Sequence, residues 1–202
     1  MITDLIELLV TDIWTTEASS FAIAQTWNSD EVFTVYPQPL QPGAENVPTS
    51  ESDEDLPGFQ ITGDQSVLFV WGRGSEGCLG FGNQLDVNMP KAHPLFLSST
   101  GFSISKSWHK EFEQLRIVWV RTGPNHVIVQ ATDDSLWGMG HNDMGQLGMW
   151  HDTVMISIPQ WVAVPLSNDE TITDVYCGPY WSSVSVYSDS NDSDWIVHLP
   201  WK

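Results

Sequence analysis

Three groups of residues have types and spacings that could do chemistry. Gly72, Gly74 and Gly77 fit the G-x-G-x-x-G pattern of dinucleotide-binding loops. Gly80 and Gly82 follow where a helix should open, and the preceding segment reads as a hairpin, so phosphate cradling is set aside. Asp133 and Asp134 are adjacent carboxylates. They sit between two β-rich runs, His126–Ala131 and residues 136–140, where aspartate serves turn chemistry. The six histidines are His93, His109, His126, His141, His151 and His198. No pair has the i, i+4 spacing beside a glutamate that a zinc-peptidase helix needs. His126 starts a strand and is read as a structural, hydrogen-bonded imidazole. His141 and His151 flank a glycine loop without the cysteine or carboxylate cluster of a metal site. Cys78 and Cys177 fit no metal spacing and no disulfide framework, and are read as small buried thiols. The sequence assigns no catalytic, cofactor or metal residue.

Composition sets what these residues work within. The 202 residues suit one domain or two small ones, and 41% hydrophobic content supports a real core. Eleven Trp and eight Phe favour a sheet-rich interior. Twenty-six acidic residues against seven Lys and Arg give a net charge of −19, and no base precedes Arg73. Such a chain repels phosphate backbones, so nucleic acid is not an expected partner. A basic protein surface is. The start of the chain, MITDLIELLV, lacks a basic region and is not read as a secretory signal. No apolar run approaches the roughly 20 residues that span a bilayer, so membrane insertion is not expected. A cytoplasmic or nuclear location is expected.

The positioning elements repeat. With Trp71 set on Met139, Leu68 meets Leu136, Phe69 meets Trp137, Gly72 meets Gly140, and Gly77, Leu79 and Gly80 meet Gly145, Leu147 and Gly148. One residue out of register, Pro90 meets Pro159. With Gly123-Pro124 set on Gly178-Pro179, Ile117 meets Ile172, Val120 meets Val175, His126 meets Trp181 and Val129 meets Val184. A fainter copy sets Val10, Ile13, Thr16, Ser19 and Ala22 on Ile117, Val120, Gly123, His126 and Val129. Ordered matches of this kind mark a repeat architecture. The pattern predicts blade-like units at about 8–36, 59–97, 117–164 and 172–199 in a single repeat domain. Residues 31–35 are expected to return on 19–26 as a hairpin. Residues 107–115 have the pattern of a short helix. Residues 37–57 carry five prolines and the acidic cluster Glu51, Asp53, Glu54 and Asp55. That segment is expected to be a loop replacing the first unit's glycine loop, and its four acids are the candidate partner-binding residues.

These units resemble the regulator-of-chromosome-condensation repeat. That unit has a strand ending in glycine, a strand opening on histidine, an aspartate turn, a strand ending in glycine, then Asn-x-x-Gly-Gln-Leu-Gly and a later proline. Here Gly123, His126, Asp133, Gly140, Asn142, Gly145, Gln146, Leu147, Gly148 and Pro159 follow it in order. The resemblance implies an all-β fold, a partial or small β-propeller of four-stranded blades, because each hairpin buries its faces only by stacking on neighbours. The family's ring is usually seven-bladed, within the propeller range, and this chain has material for three to four. Thr16 stands where the family has glycine. Three arrangements stay open: an open arc, a divergent small propeller, or a piece of a longer product. The function expected is a non-enzymatic protein-interaction module on blade loops, without a cofactor. The alternatives are a guanine-nucleotide exchange factor for a small GTPase, as the family name implies, or a truncated paralogue without independent activity.

Overall fold

The computed structural model describes residues 8–26, 32–35, 59–62, 66–97, 117–132, 134–149 and 153–199. They hold thirteen strands and, among the described residues, no helix. The strands are β1 (Leu8–Thr15), β2 (Ser19–Thr26), β3 (Val32–Val35), β4 (Phe59–Thr62), β5 (Ser66–Gly72), β6 (Val87–Leu97), β7 (Ile117–Thr122), β8 (His126–Ala131), β9 (Leu136–His141), β10 (Met155–Val162), β11 (Glu170–Cys177), β12 (Ser182–Ser188) and β13 (Ser193–His198). Every pairing is antiparallel. Three sheets run in the orders β1-β2-β5-β6, β7-β8-β9-β10 and β11-β12-β13, and β3 pairs with β4 apart from them. The three larger sheets are blades of a partial β-propeller.

Period-two alternation explains why the blades stack. In β8 and β9, Val127, Val129, Trp137 and Met139 point to one face and pack with Phe21, Ile23, Leu68 and Val70 of blade 1. Ile128 and Leu136 point to the other face and pack with Ile172, Val175, Val184 and Val186 of blade 3. Blade 2 is thus apolar on both faces, and all six residues of β8 are buried. The first strands β1, β7 and β11 line up along the inner edge, β7 packing on both of the others. Thr122 Oγ1 donates to Thr15 O at 2.8 Å across that edge. Each first strand carries a register shift at one equivalent place: Val10/Asp12, Ile117/Trp119 and Ile172/Asp174. A repeated bulge bends each strand in the same way and keeps the blades congruent.

Two expectations are corrected. In the return strand expected at 31–35, the described part, Val32–Val35, does not pair with β2. Val32–Val35 pairs with Phe59–Thr62, and β2 pairs with β5 in the register Phe21↔Val70. β1 and β2 of the unit placed at 8–36 and β5 and β6 of the unit placed at 59–97 are therefore halves of one blade, and the described residues form three blades. The continuous apolar run Val67–Leu68–Phe69–Val70 suits a strand covered on both faces, which the short, mixed run Val32–Val35 does not. Residues 37–57 also replace no glycine loop, because blade 1 has its own over residues 73–86. The acidic loop and the helix pattern at 107–115 lie outside the described residues.

Candidate functional site

Each blade opens with a tight turn between its first two strands, and one hydrogen bond recurs in all three. The N–H groups of Thr16, Gly123 and Gly178 donate to the carbonyls of Ser19, His126 and Trp181, each at 2.9 Å. The last side chain of the turn dictates the first residue. The His126 imidazole fills the space where a Cβ on Gly123 would stand, and the Trp181 indole does the same over Gly178. In blade 1 the last residue is the small Ser19, so Thr16 fits. Its Oγ1 accepts from the N–H groups of Ser19 and Ala18 at 2.8 and 3.2 Å. The departure of Thr16 from glycine is matched by the loss of the ring.

The glycine loops leave the third strands at this same end. The Arg73 N–H donates to Ala18 O at 2.9 Å, and the His141 N–H to Asn125 O at 2.7 Å, tying loops to turns. In the second loop the Gly145 and Gly148 N–H groups donate to the Asn142 and Gly145 carbonyls, at φ values of 78° and 67°. Asn142 is buried; its Oδ1 accepts from the Leu147 N–H at 3.1 Å and its Nδ2 donates to Thr153 O at 3.4 Å. The Gln146 amide accepts from the Met144 N–H and donates to Asp143. Leu147 is buried between blades 2 and 3. The Asn-x-x-Gly-Gln-Leu-Gly signature is therefore loop-building chemistry. The first loop crosses to blade 2, where the Gly82 N–H donates to Ser157 O at 2.7 Å and Glu76 forms an ion-pair contact with His141 Nε2.

The candidate residues of the sequence fall into place one by one. His93 is buried, stacked on Phe81, with Nε2 3.1 Å from Gly80 O. Burial lowers its pKa to about 4. His126 is buried with Nε2 2.8 Å from Ser182 Oγ. Burial first, then the nearby His141, lowers its pKa to about 4. Its Nδ1 has no hydrogen-bond partner among the described residues. This His–Ser contact lies inside the core and no carboxylate orients it, so it does not build a nucleophile. His141 pairs with Glu76; His109 and His151 lie outside the described residues. Among the described residues no group of three metal-ligating side chains forms. Asp134 has φ 63° and accepts from Gln130 Nε2, as a turn residue does. Gly72, Gly74 and Gly77 sit at the end of β5 with no helix behind them. Cys78 is buried and Cys177 half-buried. Burial pushes their thiols up to about 12 and about 11, which leaves them unreactive. Glu51, Asp53, Glu54 and Asp55 lie outside the described residues.

The end face built by the turns and glycine loops is one of the accessible surfaces; Ile13, Trp161 and Ile196 are also exposed, on strands. The end face exposes the large apolar side chains of Leu85 (60%), Met89, Met144, Val154, Tyr180 (61%) and Trp181. Among them stand Glu17, Arg73 and Asp86, with Glu76 and Asp143 half-buried. Sequence reading missed these residues as a group, because four separate turns and loops bring them together.

The pattern described as "Regulator of chromosome condensation (RCC1) repeat" matches residues 66–130 and 133–184, more than half of the chain. The chain belongs to this repeat family. Each matched repeat is out of phase with the blades: residues 66–130 run from β5 of blade 1 to β8 of blade 2, so the covalent repeat staples neighbours together. Among curated proteins, the chain is 29% identical over 120 residues to the protein RCC2 homolog of Xenopus laevis, covering 59% of this chain and 20% of that protein. It is 29% identical over 115 residues to the serine/threonine-protein kinase Nek8 of Danio rerio, covering 57% and 14%. The chain thus spans a fifth or less of the curated relatives it matches here. Among solved structures, human WBSCR16 aligns with 90% of this chain and 47% of its own, at 15% identity and a TM-score of 0.47. Yeast RCC1 (Prp20), solved with Kap60, aligns with 91% and 42%, at 17% identity and a TM-score of 0.43. Among the described residues no helix is long and apolar enough to cross a membrane.

Proposed function

We propose that this chain is a non-enzymatic protein-interaction module that binds its partner on the end face of the turns and glycine loops. The observation that carries the reading is the exposed apolar set Leu85, Met89, Met144, Val154, Tyr180 and Trp181 on a rigidly hydrogen-bonded rim. Exposed aromatics at a rigid surface are the usual anchors of protein interfaces. The intervening Glu17, Asp86 and Asp143 and a net charge of −19 favour a partner that is basic where it touches. The acidic residues Glu51, Asp53, Glu54 and Asp55 serve as a second, longer-range attraction for that partner. The module works in the cytoplasm or nucleus and binds neither nucleic acid nor lipid. The test is affinity capture with the wild-type chain and with Tyr180→Ala/Trp181→Ala. A partner retained by the wild type and lost by the variant supports the reading. Equal retention contradicts it. Release of a labelled guanine nucleotide from a small GTPase, accelerated by the isolated chain, would favour exchange activity instead.

A further inference from the structure

Two adjoining cavities on the end face have different chemistry and share a wall. The first, of ≈410 Å³, is polar and is lined by Glu17, Gly72, Arg73, Glu76, Asp86 and Asn125, among others. The second, of ≈230 Å³, is mainly apolar, lined by Phe81, Leu85, Val87, Met89 and Lys91. Asp86 and Asn88 line both. From this juxtaposition we infer that the pair of cavities takes a two-residue anchor from the partner protein: an apolar side chain beside an arginine or lysine. The inference rests on the interaction reading above and names the chemistry of the partner at that surface.

The walls are built rather than incidental. The Gly74 N–H donates to Asp86 Oδ1 at 2.9 Å, which fixes the shared carboxylate. A Cβ on Gly74 would strike the Leu85 carbonyl, so the loop closes tightly behind that wall. The Leu85 N–H donates to Asn83 Oδ1 at 3.0 Å, holding the exposed Leu85 at the rim of the apolar cavity. Glu76 is held from the far side by His141. In the polar cavity Glu17, Glu76 and Asp86 stand with one guanidinium, Arg73; Glu76 is already engaged by His141, so Glu17 and Asp86 outnumber Arg73 there, while Lys91 lines the apolar cavity. The balance favours a cation, and a guanidinium or ammonium group can bridge two of those carboxylates. The neighbouring apolar cavity supplies desolvated area for the adjacent side chain, so the two contacts select a sequence rather than charge alone.

The probe is a set of end-capped tetrapeptides, Ala-Leu-Arg-Ala, Ala-Leu-Glu-Ala and Ala-Ser-Arg-Ala, titrated into the ¹⁵N-labelled full chain. The Leu-Arg peptide is expected to give saturable amide shifts at Gly74, Asn88 and Asn125. The Leu-Glu peptide is expected to bind at least about tenfold more weakly. Glu17→Gln, an exposed change outside the core, should weaken Leu-Arg several-fold. Leu85→Ser should weaken Leu-Arg and leave Ser-Arg unchanged. Equal binding of the Arg and Glu peptides, shifts confined to other surfaces, or no saturable shift at millimolar peptide overturns the inference. If that happens while Tyr180→Ala/Trp181→Ala still abolishes partner capture, only the anchor is lost. If both fail, the end face itself is the wrong surface.

Discussion

His126 Nε2 lies 2.8 Å from the Ser182 hydroxyl oxygen, and this buried contact ties the second strand of blade 2 to that of blade 3. Neither group reaches water; the Ser182 hydroxyl also donates to Cys177 Sγ at 3.7 Å, whereas Nε2 depends on Ser182. Ser182→Ala leaves Nε2 unpaired in the core and should cost about 1–3 kcal/mol. Thermal and urea denaturation read the loss, and an unchanged midpoint would show that the seam is held by apolar packing alone.

The same imidazole makes stability pH-dependent. His93 and His126 are held neutral in the fold, with pKa values of about 4. The unfolded chain takes up a proton on each near ~6.5. Acid therefore favours unfolding: the penalty is absent above ~6.5, grows as pH falls through that value, and levels off below about 4. Each histidine accounts for on the order of 3 kcal/mol across that window. Carboxylates also titrate near its lower end, so the comparison is with His126→Gln. That variant should lose visibly less stability than wild type between pH 7 and pH 5, measured by urea denaturation. Parallel pH profiles would contradict the assignment.

Gly123 is predicted to tolerate no side chain while His126 is present. A Cβ there would meet the imidazole and stand 2.7 Å from Gly178 O. Gly123→Ala should cost about 2 kcal/mol or more. Gly123→Ala with His126→Ser should cost less than the sum of the two single changes, because blade 1 already combines Thr16 with Ser19. Additive costs would mean that ring and Cβ do not compete.

The charged contact at the inner edge is expected to matter little. Arg121 Nε and Nη2 lie 3.1 and 2.9 Å from Asp174 Oδ1, and the guanidinium sits 4.7 Å from the Trp119 ring centroid. Both partners are about a third exposed. Asp174→Asn should cost under about 1 kcal/mol and become indistinguishable from wild type in high salt. A loss of several kcal/mol would mark this pair as a buried strut.

Much of this was legible in residue order, and the exceptions have physical causes. The faint match of Thr16, Ser19 and Ala22 to Gly123, His126 and Val129 was correct, since the equivalent turns form. The positive φ of Gly145 and Gly148 and the burial of Leu147 follow from the loop signature. The pairing of β2 with β5 was not legible, because local order puts Val32–Val35 first. Only two-sided burial selects Ser66–Gly72. The end face was hidden for a similar reason: Leu85, Met144 and Tyr180 belong to different repeats and share a surface only after stacking.

The insertion offers a separate check. β3 and β4 pair with each other rather than with a blade, so residues 37–57 join two strands outside the three blade sheets. Deleting most of them should leave the melting temperature nearly unchanged, since closure entropy varies only logarithmically with loop length. A collapse of stability would mean that the acidic segment packs on the blades.

The central claim is that partners meet the end of the blades bearing the turns. Amide hydrogen exchange on the chain with its captured partner bound, compared with the free chain, locates that contact most directly. The account predicts added protection at residues 73–76, 123–126, 141–148 and 178–181. Protection confined to the opposite end, at residues 132–136 and 189–193, with these turns unchanged, would contradict it.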